Sequence, residues 1–174
     1  MIKAIARLIV ALNGNIRKSQ LAGGFAWGVL LGLVPAGNFF WVVLLVVSFF
    51  FKHNHASKVL LMLLIKLFNP LFAPLVDLLG WEILHFEALR PLFTSLYNMP
   101  FVPFTRFYNT LVAGGLVGGL VLWLPVFLLS LGLVSLYRNT IAPALRKAKI
   151  FKVIAKIPFI NQISQAVEGV SHGR

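Results

Sequence analysis

Thirty-one consecutive residues, Leu21 to Phe51, carry no charged side chain. As one helix at about 1.5 Å per residue they would extend about 46 Å, well beyond the roughly 30 Å hydrocarbon core of a bilayer. The run is broken near its middle by Pro35-Ala36-Gly37-Asn38. Proline removes a helix donor and clashes with the preceding turn, glycine loosens the backbone, and asparagine caps the next helix. The pattern predicts two half-helices, Leu21–Val34 and Phe39–Phe51, each about 20 Å long and too short to cross alone. They form either a re-entrant hairpin or one kinked span.

Flanking charge chooses between these. Arg17 and Lys18 precede the run; Lys52 and Lys58 come after it. Lys and Arg collect on the cytoplasmic side of a membrane, so both ends are expected to face the cytoplasm and the hairpin is preferred. Under that arrangement thirteen of the 16 Lys and Arg share one side, Arg90 and Arg106 take the other, and Lys66 lies within a span.

Composition supports a membrane setting. Hydrophobic residues make up 59% of the chain and charged residues 11%, where a soluble domain carries about 25% charge. The formal net charge is +12, but the bases abut apolar stretches and accompany no nucleic-acid-binding motif, so nucleic acid is not an expected partner. The chain has no cysteine, which removes disulfides, thiolate metal sites and cysteine catalysis.

The expected fold is an all-α integral membrane protein, multi-pass with both termini cytoplasmic. Residues 1–18 read as an amphipathic helix on the membrane surface, with Ile2, Ile5, Ile9 and Leu12 on one face. The membrane domain, 19–137, comprises the hairpin 21–51, a span 59–81, an external loop 82–106 and a span or second hairpin 107–137. The span 59–81 is interrupted by Asn69-Pro70 and Pro74; the external loop region holds three of the four acids, counting Asp77 at its edge, and a short surface helix around 81–97. Residues 138–174 form a basic amphipathic tail in which Arg146, Lys147, Lys149, Lys152 and Lys156 alternate with apolar residues, a surface for an anionic leaflet.

Several residues stand out inside the apolar segments. Gly24, Gly28 and Gly32 recur every four positions, and Gly114 and Gly118 repeat the spacing. Such stripes let helix backbones approach closely, within one chain or between copies. An offset of 90 residues aligns Leu21, Gly24, Gly28, Leu30 and Pro35 with Leu111, Gly114, Gly118, Leu120 and Pro125. Broken-helix repeats occur in membrane transporters; the alternative is that any two glycine-striped membrane helices align in this way. Lys66 and Asp77 are charges in an apolar segment, costly in lipid and hence functional candidates; each can instead reach an interface by snorkelling. Asn38 and Asn69 stand at breaks, as caps or as the lining of a polar cavity. Pro35, Pro70 and Pro125 mark the expected breaks.

No Ser-His-Asp set, phosphate-binding glycine loop or inward carboxylate pair is present, so no catalytic residue, cofactor or enzymatic activity is expected. His53 and His55 flank Asn54 with no acid nearby. They read as part of a solvated loop and not as metal ligands.

The run from Leu21 to Pro35, Asn54 after the second apolar half, and Asn69-Pro70 together resemble a bacterial family of small membrane proteins known only as a domain of unknown function. The resemblance covers roughly 19–137. That family has Gly then Gln after the proline, where this chain has Gly37-Asn38. The resemblance implies a bacterial inner-membrane location and no catalytic residue. The expected role is a non-enzymatic subunit or scaffold of a cell-envelope complex, with an envelope protein or a second copy as partner and anionic lipids as surroundings. The alternative is a small transporter or lipid-handling protein built around Lys66, Asn69 and Asp77.

Overall fold

The computed structural model describes residues 16–141, and these are helical with no strand. The amphipathic helix expected at 1–18 and the basic tail with Arg146, Lys147, Lys149, Lys152 and Lys156 lie almost wholly outside the described residues.

Helix α1 spans Lys18–Leu33. It stops because Val34 precedes Pro35, and a residue before proline is pushed to extended backbone; Val34 has φ −71° and ψ 126°. The next turn needs a positive φ at Gly37, +89°, where glycine alone has no steric penalty. Asn38 then closes the break from both sides. Its Oδ1 accepts from Trp41 N at 2.7 Å, capping α2 (Phe39–Phe49), and its Nδ2 donates to Pro35 O at 2.8 Å. After α2 the chain returns to its starting level, where Asn54 N donates to Gln20 O at 2.8 Å. Asn54 Oδ1 accepts from Ser57 N at 2.9 Å and so caps α3, His55–Leu67.

Helix α4, Asn69–His85, leaves α3 at an 84° bend. Asn69 is the first residue of α4 and not its cap: the cap position belongs to Phe68 and no side chain bonds there. Pro70 explains this, since proline in the first turn has no N–H to satisfy and presets the helical φ. The segment 82–106, expected as an external loop with a short surface helix around 81–97, is largely helical. α4 continues to His85, a 3₁₀ turn covers Glu87–Leu89, α5 covers Arg90–Tyr97 and a second 3₁₀ turn covers Val102–Thr105. Helix α6 runs unbroken over Thr110–Leu136, capped by Asn109, and ends in a π-turn at Tyr137–Ile141. Pro125 lies inside α6 and does not break it. A helix of 27 residues with neighbours on its glycine-bearing half can absorb one missing hydrogen bond. Thus the segment 107–137 holds one helix, Thr110–Leu136, and not a second hairpin.

Helix α1 is the centre of the packing. Twelve of its residues are buried, including Leu21, Trp27, Leu30 and Leu31, and it lies between α3 and α6. Its glycines face α3: a Cβ on Gly28 would stand 2.8 Å from Lys58 O, and one on Gly32 would stand 2.6 Å from Ile65 Cβ. On the other side α6 runs antiparallel, placing Gly119 beside Leu30 and Gly115 beside Leu33. Gly114 and Gly80 bring α6 and α4 into backbone contact in the same way. The glycine stripes therefore serve close approach within the chain. Around this centre, large apolar side chains stay exposed on α2, α3, α4 and α6, among them Phe39, Leu67, Leu71, Val121 and Leu129.

Candidate functional site

All the described buried polar residues except Ser130 of α6 line the seam between α1, α2 and α3. The glycine face of α1 creates it. With no Cβ on Gly24, Ser57 fits against α1 and its Oγ donates to Leu21 O at 3.3 Å. The next residue, Lys58, is thereby drawn inside and is 2% exposed. Its Nζ donates to Ser48 Oγ at 2.7 Å and lies 4.1 Å from the Phe49 ring centroid. Ser48 Oγ in turn donates to Leu45 O at 2.6 Å. Ser48 is the one fully buried residue of α2, and this lysine–serine bond helps tie that helix to the bundle.

Two turns further along α3, Lys66 points the same way. Its Nζ donates to Val34 O at 3.0 Å and sits 5.5 Å from the Trp41 ring. Trp41 Nε1 donates to Leu31 O at 2.9 Å. The end of α1 leaves carbonyls that no intrahelical donor reaches, and Trp41, Lys66 and Asn38 satisfy those of Leu31, Val34 and Pro35. Lys66 therefore reaches the tip of the α1–α2 turn and does not snorkel back toward the base. No carboxylate pairs with Lys58 or Lys66 among the described residues.

Asp77 is not part of this seam. The bend between α3 and α4 carries it away from Lys66, and it accepts a hydrogen bond from Thr110 Oγ1 at the start of α6. Asn69 likewise joins neither group. Of the polar candidates, Asn38 and Lys66 serve neighbouring carbonyls, of Pro35 and Val34, at the tip; Asn69 and Asp77 lie elsewhere.

At the base of the seam His53 departs from the solvated loop expected for it. It is 9% exposed, its ring 6.2 Å from that of Trp27 and 4.8 Å from that of His55. Burial, and then the positive charge of Lys58 and of His55, lower its pKa from 6.5 to about 4. Neither ring nitrogen makes a hydrogen bond of normal geometry. Among the described residues no group of three or more His, Asp or Glu could hold a metal ion. Sequence reasoning does not single out Ser48, His53 and Lys58 as site residues. Ser48 does carry a signal, being the only hydroxyl in Phe39–Phe51.

Fold and seam together define a helical protein in which, among the described residues, one helix, Thr110–Thr140, is long and apolar enough to cross a membrane, its mean hydropathy 2.3. The bent pair α3–α4 passes the same test when taken as one segment. The chain is 35% identical over 162 residues to an uncharacterized protein of Treponema pallidum (strain Nichols), a match covering 93% of this chain and 100% of that one. It belongs to the same family as that protein. No family model matches the chain, and no solved structure matches it.

Proposed function

We propose that the chain is a multi-pass integral protein of a bacterial inner membrane, in which α1 and α2 form a re-entrant hairpin. In this reading α3–α4 makes one broken crossing, α6 makes the other, and both termini are cytoplasmic. The observation that carries it is the hydrogen bond from Asn54 N to Gln20 O, which brings the two ends of an apolar segment to one level. Charge obeys the same division. Arg17 and Lys18 lie at that end, near Val134 and Ser135 of α6, while Asp77 and Thr110 lie at the other. Exposed apolar surface on this scale marks a lipid or protein interface.

Its role in this reading is that of a non-enzymatic subunit or scaffold of the cell envelope. Helix α2 supports it: it buries only Ser48 and leaves its apolar flanks, such as Val42, Val46 and Phe49, open to a partner helix or a second copy. Purification of the full chain in mild detergent tests this. A stoichiometric partner or a defined oligomer is expected, and Ser48→Leu and Val46→Lys should disturb it. A chain that remains a lone monomer under every mild condition would contradict the role.

A second reading is a small transporter or lipid-handling protein. It is favoured by Lys58 and Lys66, two cations inside an apolar seam without a carboxylate partner among the described residues, since intramembrane charges mark ligand paths by default. Reconstituted vesicles should then show flux of labelled lipid or anion that Lys66→Met abolishes. Flux equal to that of empty vesicles would remove this reading.

A further inference from the structure

The base of the seam holds a cluster that helix packing leaves unused. His53 is 9% exposed and neither ring nitrogen makes a hydrogen bond of normal geometry; the Phe51 carbonyl is the backbone acceptor acting on the ring. Native proteins satisfy such buried groups with protein, water or an ion, because an unpaired polar atom loses its hydration for nothing. The charge around the ring has one sign. His55 stands edge-on at 4.8 Å between ring centroids, Lys58 lies one turn along α3, and Lys52 precedes His53 in the chain. The described carboxylates Asp77, Glu82 and Glu87 lie on α4 and the turn after it. From α1 the uncharged Gly23 and Trp27 face His53, while Phe49 packs against His55 and Phe51 against Trp27.

The donors at this place outnumber their acceptors. Lys58 spends one donor on Ser48. Asn54 occupies the N–H of Ser57 in the first turn of α3, whose positive end adds to the local field. A neutral imidazole offers one N–H and a protonated one offers two. Several donors, positive charge and no acid are the requirements of a multi-oxygen anion. We infer that His53, His55 and Lys58 form a binding site for a phosphate-bearing anion, either the headgroup phosphate of an anionic lipid or free inorganic phosphate. The cluster is local, so the site stands whether or not the chain crosses the membrane as proposed above. Burial, and after it the Lys58 charge, keeps His53 neutral; an anion beside the ring favours the protonated form, so binding takes up a proton there.

The test uses the full chain in zwitterionic detergent with ring-labelled histidine, observed by NMR near pH 6.5. Inorganic phosphate is titrated first; lipid discs of phosphatidylcholine with and without phosphatidylglycerol come second. A saturable movement of the His53 ring signals toward the imidazolium position is expected in at least one arm. A response to inorganic phosphate assigns a free anion, and a response only to phosphatidylglycerol assigns a lipid headgroup. Lys58→Met should weaken binding about tenfold or more, the effect of losing a charged hydrogen bond. His53→Phe replaces the imidazole ring with an apolar one of similar size, should keep the helical circular dichroism, and should abolish the His55 response. No saturable movement in either arm, or a response that both variants leave unchanged, would overturn the site.

Discussion

Replacing Gly114 with alanine puts the packing account to a quantitative test. A Cβ at Gly114 would overlap the carbonyl oxygen of Val76 and stand 2.8 Å from Gly80 N. Both neighbours are backbone, so neither can rotate away; α4 and α6 must separate. Overpacking of this kind costs about 1–3 kcal/mol, and the upper end applies where no side chain can yield. Alanine recovers about 1 kcal/mol of helix propensity over glycine, leaving a net loss of about 2 kcal/mol. Two glycines of the same helix serve as controls. At Gly118 the nearest atom is the flexible Leu79 Cδ2 at 3.2 Å, and at Gly132 nothing lies within 4 Å. Gly118→Ala should be close to neutral, and Gly132→Ala should gain up to about 1 kcal/mol. Equilibrium unfolding in mixed detergent–SDS micelles, monitored by circular dichroism, should separate Gly114→Ala from Gly132→Ala by about 3 kcal/mol. Because Gly80 faces Gly114, Gly80→Ala should cost less in the Gly114→Ala background than alone. Equal effects at 114, 118 and 132 would refute the claim that backbone contact, and not glycine content, sets the stability of the α4–α6 pair.

The base and tip of the seam lead to three further outcomes. The folded chain resists protonating His53, whose pKa is lowered to about 4, while the unfolded chain accepts that proton near 6.5. Stability is therefore fully present above pH 6.5 and falls, by up to about 3 kcal/mol, as pH drops toward 4. Unfolding in phosphate-free buffer at about pH 7.5 and about pH 4.5 should show this loss, and His53→Phe should flatten it; an unchanged slope would contradict the burial. The hypothetical Cβ of Gly23 lies 3.3 Å from His53 Cβ, near the separation a disulfide needs. In a chain without native cysteine, Gly23→Cys with His53→Cys should close under mild oxidation, and persistence of two free thiols would contradict the return of the chain. Asn38→Ala removes the α2 cap and the partner of Pro35 O together and should cost about 1–2 kcal/mol by the same unfolding measurement.

The helical segments are readable because their punctuation is local. Pro35, Gly37 and Asn38 act on their own neighbours, so the ends of α1 and α2 agree with the expected break to within about two residues. Asn69 shows the limit of local signals: asparagine before a helix is an ordinary capping signal, yet Pro70 shifts the start by one residue and leaves it uncapped. Pro125 departs from expectation for a related reason. Proline weakens a helix locally, but whether the helix survives depends on packing along its whole length, which spacing does not report. The seam is less legible still. Lys58 resembles a topology marker because it comes after a hydrophobic run, and only the absent Cβ of Gly24, on a different helix, draws its neighbour Ser57 inward. Nothing in the sequence around His53 announces its contact with Trp27. Long-range juxtaposition of this kind is set by helix crossing, and a single sequence does not encode it in any short pattern.

A re-entrant α1–α2 hairpin requires both ends of that segment to share one membrane face. Single cysteines in place of Arg17, Lys52 and Arg90, all exposed, probed with a membrane-impermeant thiol reagent in oriented vesicles, test this directly. Positions 17 and 52 should label from the same side and position 90 from the other. Labelling of 17 and 52 from opposite sides would contradict the re-entrant hairpin and the topology built on it.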